Sequence, residues 1–282
     1  MDPVFDDPLV TALLDLALRE DVGAGDRTSQ ATVPAHVRAR GQLLAKQSLV
    51  VCGLPLIERV YARLGEVAVG LRVSDGQRVD AGDVLGVFEG QARALLAGER
   101  LVLNLVQHLS GIATLTQAYV AQVAGTGVVI RDTRKTIPGM RRLAKYAVRM
   151  GGGSNHRLAL DDAILVKDNH IDLAGGDLVA AVAAARAQFP DLPLEVEART
   201  LAEVERAIAA GPDLILLDNM SVDELAAAAR LVAGRIPLEA SGGIGLHNLA
   251  AVARTGVRFV AIGAITHSAP AVDVNLKLQA IG

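Results

Sequence analysis

The sequence predicts an α/β protein, an incomplete (β/α) barrel preceded by a small α+β domain. Three features point that way. After Gly125, short apolar runs alternate with Ala-rich helical stretches, the pattern of parallel strands buried on both faces. Within the first hundred residues, strand-like runs are instead separated by paired turn signals. The 282 residues, 51% of them hydrophobic, are enough for one barrel-sized domain, a small second domain and a large core.

In chain order, Asp7-Pro8 opens the first helix, Asp as N-cap and Pro at the first helical position. Leu9, Leu13 and Leu16, with Val10, Leu14 and Ala17 beside them, give it an apolar face ending near Glu20. The loop Asp21–Asp26 follows, then strand from Val37 to Val51, and a short helix from Pro55 to about Leu64. Between Val67 and Phe88, Asp75-Gly76 and Ala81-Gly82-Asp83 separate short strands. The segment VSDGQRVDAGDVL is similar to the hammerhead of biotinyl and lipoyl carriers. That reading needs a lysine at a hairpin tip, and no Lys lies between Lys46 and Lys135, so the turns read as structural. Ala92–Val123 reads as a long helix broken at Ser110-Gly111, with Arg100, Asn104 and His108 on one stripe that spacing alone would leave to solvent.

The later apolar runs are Val128–Ile130, Ala163–Val166, Leu194–Val196, Leu214–Leu217, Ile236–Leu238 and Phe259–Ile262. Helical stretches at Asp177–Gln188, Leu201–Ala210, Val222–Val232 and Leu246–Ala253 lie between them. The last four runs start about 22 residues apart, compact for strand, loop and helix. No GxGxxG follows the first run, which removes support for a dinucleotide-binding sheet. Six runs fit a (β/α) barrel with strands missing.

Composition narrows the function. Aromatic residues make up 2%, Trp is absent and net charge is −3, so neither stacking platforms nor a polyanion surface is expected and nucleic acid is not an expected partner. Cys52 is the single cysteine, which excludes an intramolecular disulfide and a thiolate metal cluster. The N-terminal MDPVFDDPLV has no basic segment followed by an apolar one, and no apolar run reaches the roughly 18 residues of a spanning helix. A cytoplasmic protein without a membrane partner is expected.

Cations concentrate in IRDTRKTIPGMRR. Five of the twelve residues Arg131–Arg142 are Arg or Lys, offset by Asp132 alone. Like charges at the end of a buried strand repel unless an anion sits among them. The stretch by itself fits an anion site and an exposed basic turn equally.

The other strand ends decide between them. Lys167-Asp168-Asn169-His170, Glu197-Ala198-Arg199, Asp218-Asn219, Glu239-Ala240-Ser241-Gly242-Gly243 and Gly263-Ala264-Ile265-Thr266-His267 close the later runs. In a barrel these converge on the mouth where active sites of that architecture lie. Any one set reads as solvation; six sets, cations early and carboxylates midway, read as a site. Ser-Gly-Gly and Gly-Ala allow backbone N–H groups to cradle a phosphate, though glycine also serves simply to turn the chain. Glu197 and Asp218 are candidates to hold Mg²⁺ on phosphate or ribose oxygens, or to act as counter-ions to Lys135 or Lys167. Gly151–Arg157 is a glycine-rich loop ending in His-Arg, either a flexible connection or a grip in which Arg157 takes a carboxylate bidentately beside His156. No histidine pair has zinc-ligand spacing, and His36 and His247 read as surface or structural residues.

At these motifs the chain resembles the quinolinate phosphoribosyltransferase family of NAD biosynthesis. The matching elements are LREDVGAGDRTS (18–29), ERLVLNLVQHLSGIAT (99–114), RDTRKTIPGMR, GGGSNHRLALDDAILVKDNHI (151–171), EVEART, LILLDNM, EASGGI and GAITHS, in the family's order. The resemblance implies an N-terminal domain over 1–112, joined by a C-terminal tail over 270–282, an incomplete barrel over 113–269, and a homodimer with shared sites. It implies phosphoribosyl transfer from 5-phosphoribosyl 1-pyrophosphate to quinolinate with decarboxylation, assisted by Mg²⁺. It further implies that Arg134, His156, Arg157 and Lys167 hold the dicarboxylate and that Arg100 enters from the partner subunit. Lys135 then contacts pyrophosphate, and Glu197 and Asp218 the ribose and metal. Ser241, Gly242, Gly243, Gly263, Ala264 and His267 surround the 5-phosphate, and Thr133 joins the substrate contacts. Lys135, Lys167, Glu197 and Asp218 are the expected catalytic set. A molybdenum-associated paralogue shares TRKT and HRL but lacks the KDNH segment, which is intact here at Lys167–His170. A barrel that merely binds an anionic metabolite is the other alternative. Ala240, where Ser is common in the family, is a small departure.

Overall fold

A computed structural model of the chain describes residues 2–281; Met1 and Gly282, at the ends of the ranges 1–112 and 270–282, lie outside the described residues. After a 3₁₀ turn (Pro3–Asp6), helix α1 (Pro8–Val22) starts as its cap chemistry requires, the Asp7 carboxylate accepting from Leu9 N–H at 2.8 Å. It runs two residues beyond Glu20 and ends at Gly23, which has a positive φ. Helix α2 (Arg27–Thr32) is capped by Asp26. The expected single strand over Val37–Val51 is two, β1 (Arg38–Ala45) and β2 (Leu49–Val50), because polar Lys46-Gln47-Ser48 breaks the ladder and Lys46 N–H bonds instead to Asp273. Then come α3 (Pro55–Tyr61), β3 (Val67–Leu71), β4 (Arg78–Val79), β5 (Val84–Gln91) and α4 (Ala92–Gln122).

Helix α4 is continuous, so the expected break at Ser110-Gly111 is wrong. Ser110 bonds the Cys52 backbone through its hydroxyl, and a Cβ on Gly111 would collide with the Pro270 carbonyl. The pair serves close packing within the helix, not a turn.

Helix α5 (Arg141–Met150) precedes β6's partners in sequence but packs with the N-terminal elements. Its Tyr146 ring meets Phe5 edge-on at 4.8 Å, Arg142 pairs with Asp7 at 2.9 Å and Arg149 with Asp2 at 2.6 Å. Thus one compact unit comprises residues up to Gln117, Thr136–Gly152 and those from Ile265; the other comprises Ala118–Lys135 and Gly153–Ala264. The former differs from the range 1–112 chiefly by taking in α5.

The second unit holds β6 (Val129–Arg131), β7 (Ile164–Val166), α6 (Asp168–Leu173), α7 (Leu178–Gln188), β8 (Leu194–Ala198), α8 (Leu201–Ala210), β9 (Leu214–Asp218), α9 (Val222–Val232), β10 (Leu238–Ser241), α10 (Leu249–Val252) and β11 (Phe259–Ala261). Helix α10 is shorter than the expected Leu246–Ala253 because Asn248 folds back, its side chain accepting from Gly245 N–H. The strands are all parallel and pair in the order β6-β11-β10-β9-β8-β7. That is cyclic chain order, with the single unpaired junction between β6 and β7, which defines an incomplete (β/α) barrel. Short α11 (Ala264–His267) follows, and β12 (Val274–Ile281) pairs along β1 to complete the antiparallel sheet β12-β1-β5-β3 of the first unit. Among the described residues no helix is long and apolar enough to cross a membrane.

Side chains alternate along each barrel strand. Val196, Ala198, Ile215, Leu217, Ala240 and Val260 are fully buried on one face. Glu195, Glu197, Leu216, Asp218, Glu239, Ser241 and Ala261 point the other way, into the barrel's cavities.

Candidate active site

A cavity of about 300 Å³ lies at the carboxyl ends of the barrel strands. Thr133, Arg134 and Lys135 reach it from the end of β6, His156 and Arg157 from the following loop, and Lys167 from the end of β7. Glu197, Asp218, Glu239 and Ser241 close the opposite wall, with Leu165, Leu216 and Ala261 as apolar patches. All of these residues belong to the barrel unit.

Backbone pairing explains how the loop delivers its side chains. Ser154 N–H donates to the Ile130 carbonyl at 2.8 Å, and Asp132 N–H to the Ser154 carbonyl at 3.1 Å, so the loop occupies the edge of β6 that β7 leaves open. Asp132 is fully buried and its carboxylate accepts from Asn155 Nδ2 at 2.6 Å and from His156 N–H at 2.9 Å. The glycine-rich stretch is therefore pinned at its His-Arg end and is not a loose connection. Arg157 donates to the Ala163 carbonyl at 3.0 Å.

The Lys167-Asp168-Asn169-His170 segment turns out of β7 into α6. His170 accepts the Lys167 N–H through Nδ1 at 3.0 Å, closing the first turn, while Asp168 pairs with Arg199 at 3.4 Å. Lys167 Nζ stands 3.6 Å from Glu197 Oε2. Burial raises the Glu197 pKa, Lys167 opposes that, and the charge of Asp218 adds to it. At Arg157, burial and then the Arg134 guanidinium lower the pKa, the signature of two cations crowded together.

Below this rim lies a buried ionisable layer. His156 Nε2 is 2.9 Å from Glu195 Oε2 and 3.5 Å from Glu239 Oε1, and its Nδ1 accepts the Arg157 N–H at 2.7 Å. With Nδ1 an acceptor, the ring proton sits on Nε2, facing both carboxylates. Burial works against a charged imidazole, but Glu195 and Glu239 outweigh it and raise the His156 pKa. Burial and Glu195 push the fully buried Glu239 up to about 7, against the pull of His156 and Arg131. Arg131 donates to Glu239 at 3.0 Å and lies 3.6 Å over the Phe259 ring centroid. Asp132, the neighbouring acid, is committed to the loop, and the partner of Arg131 is Glu239.

Of the residues expected from sequence, Thr133, Arg134, Lys135, His156, Arg157, Lys167, Glu197, Asp218 and Ser241 share the cavity. Gly242 and Gly243 follow with φ of +92° and +61°, a region that favours glycine, and a Cβ on Gly242 would also strike Asn219. Gly263 and Ala264 follow β11 and do not line the cavity. Arg100 and His267 belong to the other unit, where Arg100 is exposed on α4 and His267 Nδ1 lies 2.6 Å from the Ser268 hydroxyl. Sequence reasoning missed Glu195, and saw Glu239 only as part of a strand end. Their signal is an acid two residues before Glu197 and before Ser241, hence on the same strand face. His156, Glu195 and Glu239 also bring potential metal ligands within 4.8 Å, but the Arg131 guanidinium on Glu239 disfavours a second cation there.

Known proteins resemble this chain along nearly its whole length. Residues 112–277 match the profile described as quinolinate phosphoribosyl transferase, C-terminal domain, and residues 26–110 match its N-terminal domain. The chain is 47% identical over 270 residues to a nicotinate-nucleotide pyrophosphorylase [carboxylating] of Mycobacterium leprae, covering 93% of this chain and 94% of that protein. Among solved structures it resembles NadC from Streptococcus pyogenes at 40% identity and TM-score 0.93, covering 100% of this chain and 99% of that one. The nicotinate-nucleotide pyrophosphorylase from Francisella tularensis aligns at 37% identity and TM-score 0.91, over 96% of both chains.

Proposed function

The chain belongs to the quinolinate phosphoribosyl transferase family, and from that membership we propose how its own residues carry the reaction. The enzyme transfers the phosphoribosyl group of 5-phosphoribosyl 1-pyrophosphate to quinolinate with decarboxylation, giving nicotinate mononucleotide, pyrophosphate and CO₂ in NAD biosynthesis. The likenesses give no support to a binding-only barrel or to the molybdenum-associated paralogue.

One observation carries the assignment of residues: Arg134 and Arg157 crowd each other in a cavity of about 300 Å³ that also receives Lys135 and Lys167. A pyridine dicarboxylate relieves such crowding. Arg134, Arg157 and Lys167 hold its carboxylates, and His156, its ring nitrogens engaged by Arg157 N–H and by Glu195 and Glu239, fixes the Arg157 backbone, while Leu165, Leu216 and Ala261 suit the ring. The ring nitrogen lone pair attacks the anomeric carbon as the bond to pyrophosphate breaks, and Lys135 meets the departing charge. The pyridinium so formed accepts the electron pair of the bond to the 2-carboxylate, which leaves as CO₂. The protein's task is positioning and electrostatics. Ser241, Gly242, Gly243, Gly263 and Ala264 take the 5-phosphate, with Thr133 beside the substrates.

Glu197 and Asp218 are oxygen donors of the kind a hard divalent cation takes, and burial and then the Asp218 charge oppose ionisation of Glu197, a repulsion that a cation held between the two would relieve. Bound there, Mg²⁺ would neutralise diphosphate oxygens; without it, the two carboxylates hold the ribose hydroxyls. The same reading makes the enzyme a homodimer in which the partner subunit's Arg100 completes the dicarboxylate grip. Such anionic substrates are confined by membranes, which supports a cytoplasmic setting.

The test is substitution. Arg134→Ala and Lys167→Ala should each lower kcat/KM for quinolinate by at least about 100-fold, while circular dichroism and urea midpoint stay near the parent's. Near-parental activity in either folded variant would contradict the assignment.

A further inference from the structure

One residue that does not line the active-site cavity touches two of its walls. Asn219 follows β9 directly after Asp218 and holds a positive φ of +55°. Among the described residues the only non-glycine residues with positive φ are Asn219 and Ala233, and Ala233 is the C-cap of α9, a place where that conformation ends a helix. Asn219 ends no helix, and Ser221 caps the start of α9 two residues later. The Asn219 N–H donates to the Ser241 carbonyl at 2.9 Å, one step beyond the pairing of Asp218 with Ser241 in the β9–β10 ladder. Its side chain turns back on the preceding residue, where Nδ2 donates to Asp218 Oδ2 at 2.7 Å. The amide oxygen lies against Gly242, in the space that a Cβ there would fill. A single side chain therefore contacts both Asp218 and the turn after β10.

We propose that Asn219 is a positioning residue for the phosphoribosyl pyrophosphate half of the site, a role that rests on those given above to Asp218 and to the turn Ser241-Gly242-Gly243. A carboxylate at a strand end is free to turn about its side-chain torsions, and a donor on one of its oxygens fixes it. The Asn219 amide occupies Oδ2, so Oδ1 is the oxygen left for a ribose hydroxyl or a cation. A neutral donor suits the place: an acid there would repel Asp218, and a lysine would compete as its counter-ion. Resting on Gly242, the same amide ties that carboxylate to the turn that takes the 5-phosphate, so two anchor points of one substrate keep a fixed spacing. Backbone conformation alone does not call for asparagine, because glycine adopts a positive φ without steric cost. What glycine would lack is the amide.

Asn219→Gly separates the two explanations, since it keeps the positive φ and removes the amide. Phosphoribosyl pyrophosphate is titrated calorimetrically into the folded variant at a fixed excess of Mg²⁺. Phthalate is present to fill the quinolinate site, as a ring dicarboxylate with no nitrogen to react. The affinity for phosphoribosyl pyrophosphate should fall at least about 10-fold, the size of effect that outer partners of a ligating group carry. In turnover, KM for phosphoribosyl pyrophosphate should rise at least about 10-fold while KM for quinolinate stays within about twofold. Asn219→Asp keeps the shape and tolerates this backbone but sets a second carboxylate beside Asp218 in place of the donor. It should weaken the same affinity at least as much, and it decides the matter if the glycine variant fails to fold. Parental affinity in either folded variant, or KM values for both substrates raised together, would overturn the role. Asp218→Asn tests the premise separately: parental affinity for phosphoribosyl pyrophosphate in that variant would remove Asp218 from the substrate contacts, and the role of Asn219 with it.

Discussion

At Glu239 burial and Glu195 favour the neutral carboxyl, while at His156 two carboxylates favour the charged ring. Both folded-state pKa values therefore lie above the unfolded ones. The stabilisation is complete below the unfolded pKa and is lost as pH rises through the folded pKa. For Glu239 the window runs from its ordinary 4.5 to about 7. The urea midpoint of the protein should fall between pH 5 and pH 8, and Glu239→Gln should flatten that slope; superimposable slopes would count against a raised Glu239. Asp2, Asp26 and Asp213 have lowered pKa values, so their contributions change below this range. The rim residues were legible in the sequence because Arg134, Lys167, Glu197 and Asp218 interrupt apolar runs abruptly. Glu195 was hidden inside such a run, and the partner of Arg131 could not be read because Glu239 lies 108 positions away.

Among the elements, α4 shows where local chemistry misleads. Ser-Gly reads as a break, since glycine costs about 1 kcal/mol against alanine in a helix interior. Here the alternative is worse, because any Cβ at position 111 meets the Pro270 carbonyl. Overpacking of that sort costs about 1–3 kcal/mol, enough to offset the propensity gain. Gly111→Ala should accordingly lower the urea midpoint, and a rise would mean that the 270 segment yields freely. Caps, by contrast, were readable. Asp7-Pro8 starts α1, and Ser221 and Glu224 form a reciprocal capping box at α9, each satisfied by residues within three positions. Segments whose partners are remote, such as the loop on the edge of β6 or α5 against Phe5 and Asp7, gave no comparable local signal.

For the whole molecule, cyclic strand order puts residues from six separate strand ends around one mouth, which is why a site scattered over 129 residues from Thr133 to Ala261 forms one cavity. The alternation of runs and helices made that architecture readable, while the division into units did not follow the chain, since Thr136–Gly152 interrupts the barrel sequence to join the first unit. If the partner subunit's Arg100 completes the site, mixing inactive Arg100→Ala with inactive Lys167→Ala should restore activity through hybrid dimers, up to about a quarter of the parental value per site when exchange is complete and random. No recovery after verified subunit exchange would exclude sharing. The reaction itself is tested most directly by stoichiometry. Purified enzyme given Mg²⁺, phosphoribosyl pyrophosphate and quinolinate should release one pyrophosphate and one CO₂ per nicotinate mononucleotide formed, with nicotinate in place of quinolinate giving neither product at a comparable rate. Binding of quinolinate without release of pyrophosphate or CO₂, or equal turnover of nicotinate, would contradict it.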